Sequence, residues 1–281
     1  MSFMKSSKYL KIRLRYLSHI IRGLLGSWGL FGRLNPPILV VGSQNSGTTV
    51  LADVLALHPQ IANRSEERVL WEKNFHAKDF DLLKTADDAT PADIRRIRGN
   101  FCYFQWLTGK PFIVNKHPEN CFRIHYMKKI FPEARLIHIV RDGHAAINSN
   151  NKRAVPRSPA EDVPFGGYSR PPGWQKWLDR TKLEQFSYMW SESALYAARA
   201  GRKYSKDYLE VRYEDLTANP SEVVTDIWKW LGLEVTPELV DQLPTFSSQN
   251  YKWKEKLSRE QIDTIRRVAR DGLAYFGYLP E

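Results

Sequence analysis

Negative charge is missing from the start of this 281-residue chain: its first acidic residue is Asp53. Ahead of it stand Lys5, Lys8, Lys11, Arg13, Arg15, Arg22 and Arg33. A segment so composed reads as a basic helical face packed on or preceding the domain, and it can also meet an anionic membrane surface. Cysteine is scarce too. Cys102 and Cys121 are the only two, in no CxxC pair or metal-like cluster. That spacing excludes a disulfide framework and a cysteine metal site, and leaves open a bridge between the two. Long apolar runs are lacking: "YLSHIIRGLLGSWGLFG" is interrupted by His19 and Arg22. No stretch reaches the roughly 18 apolar residues of a membrane span. A secretory leader would show a cleaner apolar run, so the expectation is a cytoplasmic protein.

Positive charge is abundant. The formal net charge is +11, which favours anionic partners such as nucleotides and phosphorylated or sulfated substrates. The length fits one large domain or one domain with additions. Such a chain buries about three quarters of its unfolded surface and needs no staple. We divide it into a basic helical segment, 1–34, and a domain, 35–281.

The apolar positions Leu10, Leu14, Leu17, Ile20, Ile21 and Leu24 predict a helix over 5–24, ended by Asn35-Pro36-Pro37. The short continuous apolar run at 38–41 predicts a buried parallel strand, and further strands are expected at 111–115, 135–140 and 208–212. Helices are expected at 47–58, 91–107, 120–130, 142–153, 182–203 and 258–275. The alternation predicts an α/β fold, a parallel sheet of P-loop type flanked by helices on both faces, in a single domain. Ligands in such sheets bind beyond the carboxyl ends of the strands, where Gly42, Lys116 and Arg141 fall. Residues 154–173, rich in proline and glycine, read as a functional loop such as a lid.

In "ILVVGSQNSGTTVL" a strand, a glycine turn and a helix follow one another. Gly42 and Gly47 have the spacing of a phosphate-binding loop, yet Thr48 stands where its lysine is expected. Gln44, Asn45, Ser46, Gly47, Thr48 and Thr49 would offer backbone N–H groups and hydroxyls to an anion. Without the lysine the loop suits a shorter group than a triphosphate. In "RLIHIVRDGHAAINSNNKR", Arg141 ends a strand, and Ser149 and Arg153 share a helical face. These three suit a second phosphate.

Two separated phosphate sites bring a family into view. "VGSQNSGTTVL", "LIHIVRDGHAAINS" and "VRYEDLTANPSEVVTDIWKWLGL" resemble, in order, three motifs of the sulfotransferases. "SGTT", His58-Pro59, "SEERV" and "NKHP" are nearest to the tyrosylprotein sulfotransferases and their bacterial relatives. The resemblance implies 3′-phosphoadenosine 5′-phosphosulfate (PAPS) as donor, PAP as product and no metal. It also implies transfer of a sulfuryl group to a hydroxyl or amino group. It matches Glu66 to the catalytic base, Lys116 to the lysine that offsets charge on the leaving oxygen, Arg68 to a residue near the acceptor, and Tyr213 to one near the nucleotide. His117 is the alternative base, and Ser247 (or Ser248) and Lys252 are further contacts to the donor. Trp71, Trp106, Trp174 and Trp177 are candidates to line an acceptor pocket. One departure stands out: the family usually carries lysine or arginine where this chain has Asn45.

The acceptor is expected to be a small molecule or carbohydrate, with a protein tyrosine as the alternative. No nucleic-acid partner is expected. Two other classes stay open, a P-loop kinase or nucleotidase and a non-catalytic nucleotide-binding module.

Overall fold

The computed structural model describes residues 16–29, 31–71, 82–153, 165, 170–247 and 250–279. Five strands form one sheet: β1 (Ile38–Val41), β2 (Ile61–Asn63), β3 (Phe112–Lys116), β4 (Arg135–Val140) and β5 (Tyr208–Arg212). Their spatial order is β2-β3-β1-β4-β5, and every pair is parallel. Each parallel connection therefore crosses a face of the sheet and covers it with helices.

All four residues of β1 are buried, but they divide between two cores. Ile38 and Val40 pack with Leu51, Leu55, Ile139 and Trp228 on one face. Leu39 and Val41 pack with Phe101, Phe122, Met127 and Leu136 on the other. A third core, around Phe186, Trp190 and Leu273, lies under the end of β4. Full burial of one such aliphatic side chain stabilises by about 1.5–3 kcal/mol.

The helix boundaries follow local chemistry. Thr90 caps the helix Pro91–Thr108 by accepting from the Asp93 N–H, Pro91 opens it, and Gly109 at φ 64° closes it. Thr181 with Glu184 and Ser258 with Gln261 form capping boxes. The helix expected over 258–275 is two helices, Arg259–Val268 and Arg270–Tyr275, broken at Ala269. The segment expected as one helix over 120–130 starts as a 3₁₀ turn, Pro118–Arg123, before the helix Ile124–Ile130. The helix expected over 182–203 ends at Gly201 and continues as a 3₁₀ turn. The helix expected over 5–24 runs from 16 to 27 within the described residues. Most of the 154–173 loop lies outside them. β2 was not foreseen, because three residues carry no periodicity. Both cysteines are free and buried, and burial pushes the Cys121 thiol up to about 12.

Candidate active site

The parallel sheet brings the carboxyl ends of its strands together. Val40 of β1 lies beside Lys116 of β3 and Ile137 of β4, and Val140 lies beside Arg212 of β5. The residues that follow, the 42–47 loop, Arg141 and Tyr213, therefore meet at one edge. Gln44, Asn45 and Gly47 of that loop, Arg141 and Tyr213 line a cleft of about 380 Å³ with Thr48, Thr49, Val50, Glu66, Lys116, Pro118 and Ser149, whereas Ser46 is not among the lining residues.

The loop after β1 is built for close approach. A Cβ on Gly42 would meet the Ile139 carbonyl oxygen at 2.5 Å. Gly47 has φ 97°, and a Cβ there would lie 2.4 Å from the Tyr213 ring. Asn45 is left-handed, φ 59°, a conformation that asparagine tolerates better than most residues. Its side-chain amide donates to Asn150 Oδ1 at 2.5 Å. The helix Thr48–Leu55 begins without a side-chain cap and without an acidic residue in its first turn. Its leading N–H groups and dipole are thus aimed into the cleft. The Ser46 hydroxyl is buried and has no hydrogen-bond partner among the described residues.

Arg141 is fastened from several sides. It donates through Nη1 to the Asn45 carbonyl at 3.0 Å and through Nε to Asn250 Oδ1 at 2.7 Å. Its guanidinium lies 4.2 Å from the centre of the Tyr213 ring. Burial lowers its pKa from the ordinary value, opposed by Tyr213, Glu214 and Asp142. Glu214 holds this corner together by accepting from the Asp142 N–H, Asn250 Nδ2 and the Tyr278 hydroxyl.

Across the cleft, Lys116 is 1% exposed and pairs with Glu66, whose side chain is 63% exposed. The Glu66 N–H also donates to the Lys116 carbonyl at 2.8 Å, extending the β2–β3 pairing beyond Asn63. Glu66 has φ 59°, a strained conformation for a residue with a long side chain. A pairing that fixes both backbone and side chain holds the carboxylate at the rim.

Not every expected residue arrives here. Trp71 is fully buried on the opposite face of the sheet, its indole donating to Asn115 Oδ1 at 3.0 Å. The period-2 alternation explains this, since Asn115 points away from the side taken by Val114 and Lys116. Trp106 is an exposed residue of the helix Pro91–Thr108, packed on Phe31 at 4.7 Å. Trp174 lies in the third core beneath the Arg170 guanidinium. Trp177 stacks on Tyr188. None of the four tryptophans lines the cleft. His117 is buried beside Glu119 rather than among the lining residues, because it follows Lys116 in extended backbone and faces the other way. Ser247 is exposed and Lys252 opens the helix Lys252–Lys256, both outside the lining. The side chains of Arg68 and Arg153 and the whole of Ser248 lie outside the described residues.

Asn150, Asn250 and Glu214, which hydrogen-bond to Asn45, Arg141 and Asp142, were not singled out from the sequence. They lie within two residues of ones that were, Ser149, Lys252 and Tyr213, but a polar side chain beside a motif carries no pattern of its own.

The fold and the motifs agree with what the chain resembles. The family model described as "Sulfotransferase family" matches residues 36–237. Protein-tyrosine sulfotransferase A of Caenorhabditis elegans is 29% identical over 138 residues, 44% of this chain and 35% of that protein. The protein-tyrosine sulfotransferase of Drosophila melanogaster is 22% identical over 261 residues, 89% of this chain and 49% of that protein. The matches thus span half or less of these relatives. Among solved structures, the sulfotransferase domain of the Synechococcus olefin synthase has a TM-score of 0.58 at 22% identity, covering 88% of this chain and 98% of that one. A Mycobacterium avium sulfotransferase has a TM-score of 0.55 at 16% identity, covering 95% and 86%. At such identities the structures show a shared fold, and with the family model spanning most of the chain, this protein belongs to the sulfotransferase family.

Proposed function

We propose that this chain transfers a sulfuryl group from PAPS to a hydroxyl or amino group of an acceptor. One observation carries the reading. A phosphate-type loop, the Arg141–Ser149 corner and the Glu66–Lys116 pair all line a single cleft. The residues fit the donor by their own chemistry. The Ser46 hydroxyl is buried and unpartnered among the described residues, the first helical N–H groups are uncapped, and no carboxylate stands in that first turn.

When bound, the donor supplies a sulfuryl group on a phosphate leaving group. The 42–49 loop and the helix start hold the 5′ end by N–H donation and the helix dipole. Arg141 and Ser149 hold the 3′-phosphate, with Tyr213 fixing the guanidinium plane. The Glu66 carboxylate takes the proton from the acceptor O–H or N–H as the new bond to sulfur forms. The Lys116 ammonium offsets the charge left on the phosphate oxygen as its bond to sulfur breaks. Proton, sulfuryl group and leaving oxygen are all accounted for without a covalent enzyme intermediate.

The acceptor we propose is a small molecule or a carbohydrate. The second reading, a tyrosine of a protein, is favoured by the names of the curated relatives. Calorimetry tests the donor: PAP binds tightly without added metal, and ATP with magnesium binds much more weakly. Equal or tighter ATP binding overturns the reading in favour of a kinase or nucleotidase. A screen of phenols, sugars, amines and tyrosine peptides with labelled donor then separates the two acceptor classes.

A further inference from the structure

Helix 16–27 has two faces that ask for different partners. One is already matched. A Cβ on Gly26 would fall 1.9 Å from the Gly99 carbonyl oxygen, and one on Gly99 would fall 1.9 Å from that of Gly23. Only glycines allow this helix to cross the helix Pro91–Thr108 so closely. His19 is buried at the crossing, with Nδ1 3.0 Å from Asn100 Oδ1, and its carbonyl accepts from Asn100 Nδ2 at 2.6 Å.

The opposite face is apolar and open. Leu17 is 51% exposed, Ile21 49%, Leu24 43% and Trp28 67%. Their spacing of four, three and four residues places them within about 60° of one another around the helix. Leu24 also lines a groove of about 380 Å³ that runs to Ala92 and Arg95 of the neighbouring helix. Scattered exposed apolar side chains are ordinary, but a continuous stripe beside a groove marks an interaction surface.

We propose that this stripe inserts into the interfacial zone of an anionic membrane and docks the protein on the bilayer surface. Charge selects the partner. Seven lysines and arginines precede the first carboxylate, Asp53, and Arg95 is exposed beside the groove. A second copy would carry the same excess of positive charge in this part of its sequence and be repelled. Acidic lipid headgroups neutralise them while the leucines, isoleucine and tryptophan leave water. No described helix is long and apolar enough to cross a membrane, so the contact lies in the plane of the surface.

Co-sedimentation of the full chain with vesicles tests this. Vesicles of two parts phosphatidylcholine to one part phosphatidylglycerol carry the protein down, pure phosphatidylcholine leaves it in solution, and high salt releases it. Ile21→Glu with Leu24→Glu lowers binding at least about tenfold, while the melting temperature and PAP affinity stay at wild-type values. A second measurement does not rely on that variant. Brominated acyl chains quench wild-type tryptophan emission, and Trp28→Phe removes the quenched component. The proposal is overturned if the wild type ignores anionic vesicles, if it binds neutral ones equally, or if brominated lipid quenches nothing. It is overturned too if light scattering shows a dimer that the double variant splits, which would give the stripe to a second copy.

Discussion

The Lys116 ammonium is buried at the end of β3 and forms an ion pair with the Glu66 carboxylate, which faces the solvent. The two are also joined through the backbone, N–H of Glu66 to carbonyl of Lys116. A buried cation is thus balanced by a carboxylate that water and an acceptor can reach. Burial keeps the lysine's field strong inside the cleft, and exposure leaves the glutamate open to a proton donor.

Glu66→Gln keeps an oxygen for Lys116 and removes the proton acceptor. Turnover is expected to fall about 10²–10⁴-fold, with PAP affinity changed little in calorimetry. Retained turnover would pass the role of base to another group and end the assignment of Glu66.

Lys116→Met separates catalysis from stability. An apolar side chain of similar length in a buried site leaves the melting temperature unchanged or raised. Turnover falls on the order of 10²–10³-fold, the loss seen when one donor to a developing charge is removed. A large drop in melting temperature with normal turnover per folded molecule would make the lysine structural.

Arg141→Ala is expected to weaken PAP binding by roughly 1.5–3 kcal/mol, the range for hydrogen bonds to charged groups. The binding loss should exceed any change in turnover at saturating donor. Unchanged affinity would remove the 3′-phosphate from this corner.

Gly47→Ala meets both a left-handed backbone and the Tyr213 ring. The backbone alone costs about 1–2 kcal/mol, and the clash adds to it while displacing Tyr213 from the cleft. Adding Tyr213→Ala to the Gly47→Ala protein relieves the clash, so part of the lost melting temperature returns. Purely additive losses would show that the two residues do not meet.

Glu210 supplies a pH test away from the cleft. The His138 ring nitrogen 3.7 Å away, and then the Tyr208 hydroxyl donating at 2.9 Å, hold its carboxyl at about 2, below the ordinary 4.5. Its contribution to stability is complete above the unfolded value and is lost as pH falls from 4.5 toward 2. The group is partly exposed, so the contribution is screened to roughly 1 kcal/mol. Glu210→Gln should flatten the fall in melting temperature across that window, and an unchanged slope would count against the network.

Much of the site was legible because phosphate binding needs contiguous residues. Gly42 to Thr49 form one strand-turn-helix junction, so spacing alone marks the loop, and a strand end marks Arg141. Four strands were legible in the alternation of strand and helix segments, whereas β2 is a three-residue edge strand without a pattern. Asn45 is a mixed case. The sequence flags it as lacking a charge, and the structure supplies a conformational reason for asparagine: a left-handed backbone, an amide bound to Asn150 and a carbonyl bound to Arg141.

By itself, then, the sequence determined the α/β class, the loop and the strand-end cations, since these depend on local period and spacing. The tertiary structure alone decided which aromatic residues are core and which histidine turns away, because the side of a strand that a residue faces depends on register. It alone joined Glu66 to Lys116 and Asn250 to Arg141. Those pairs are 50 and 109 residues apart in the chain, and a parallel sheet brings such distant segments to the same edge.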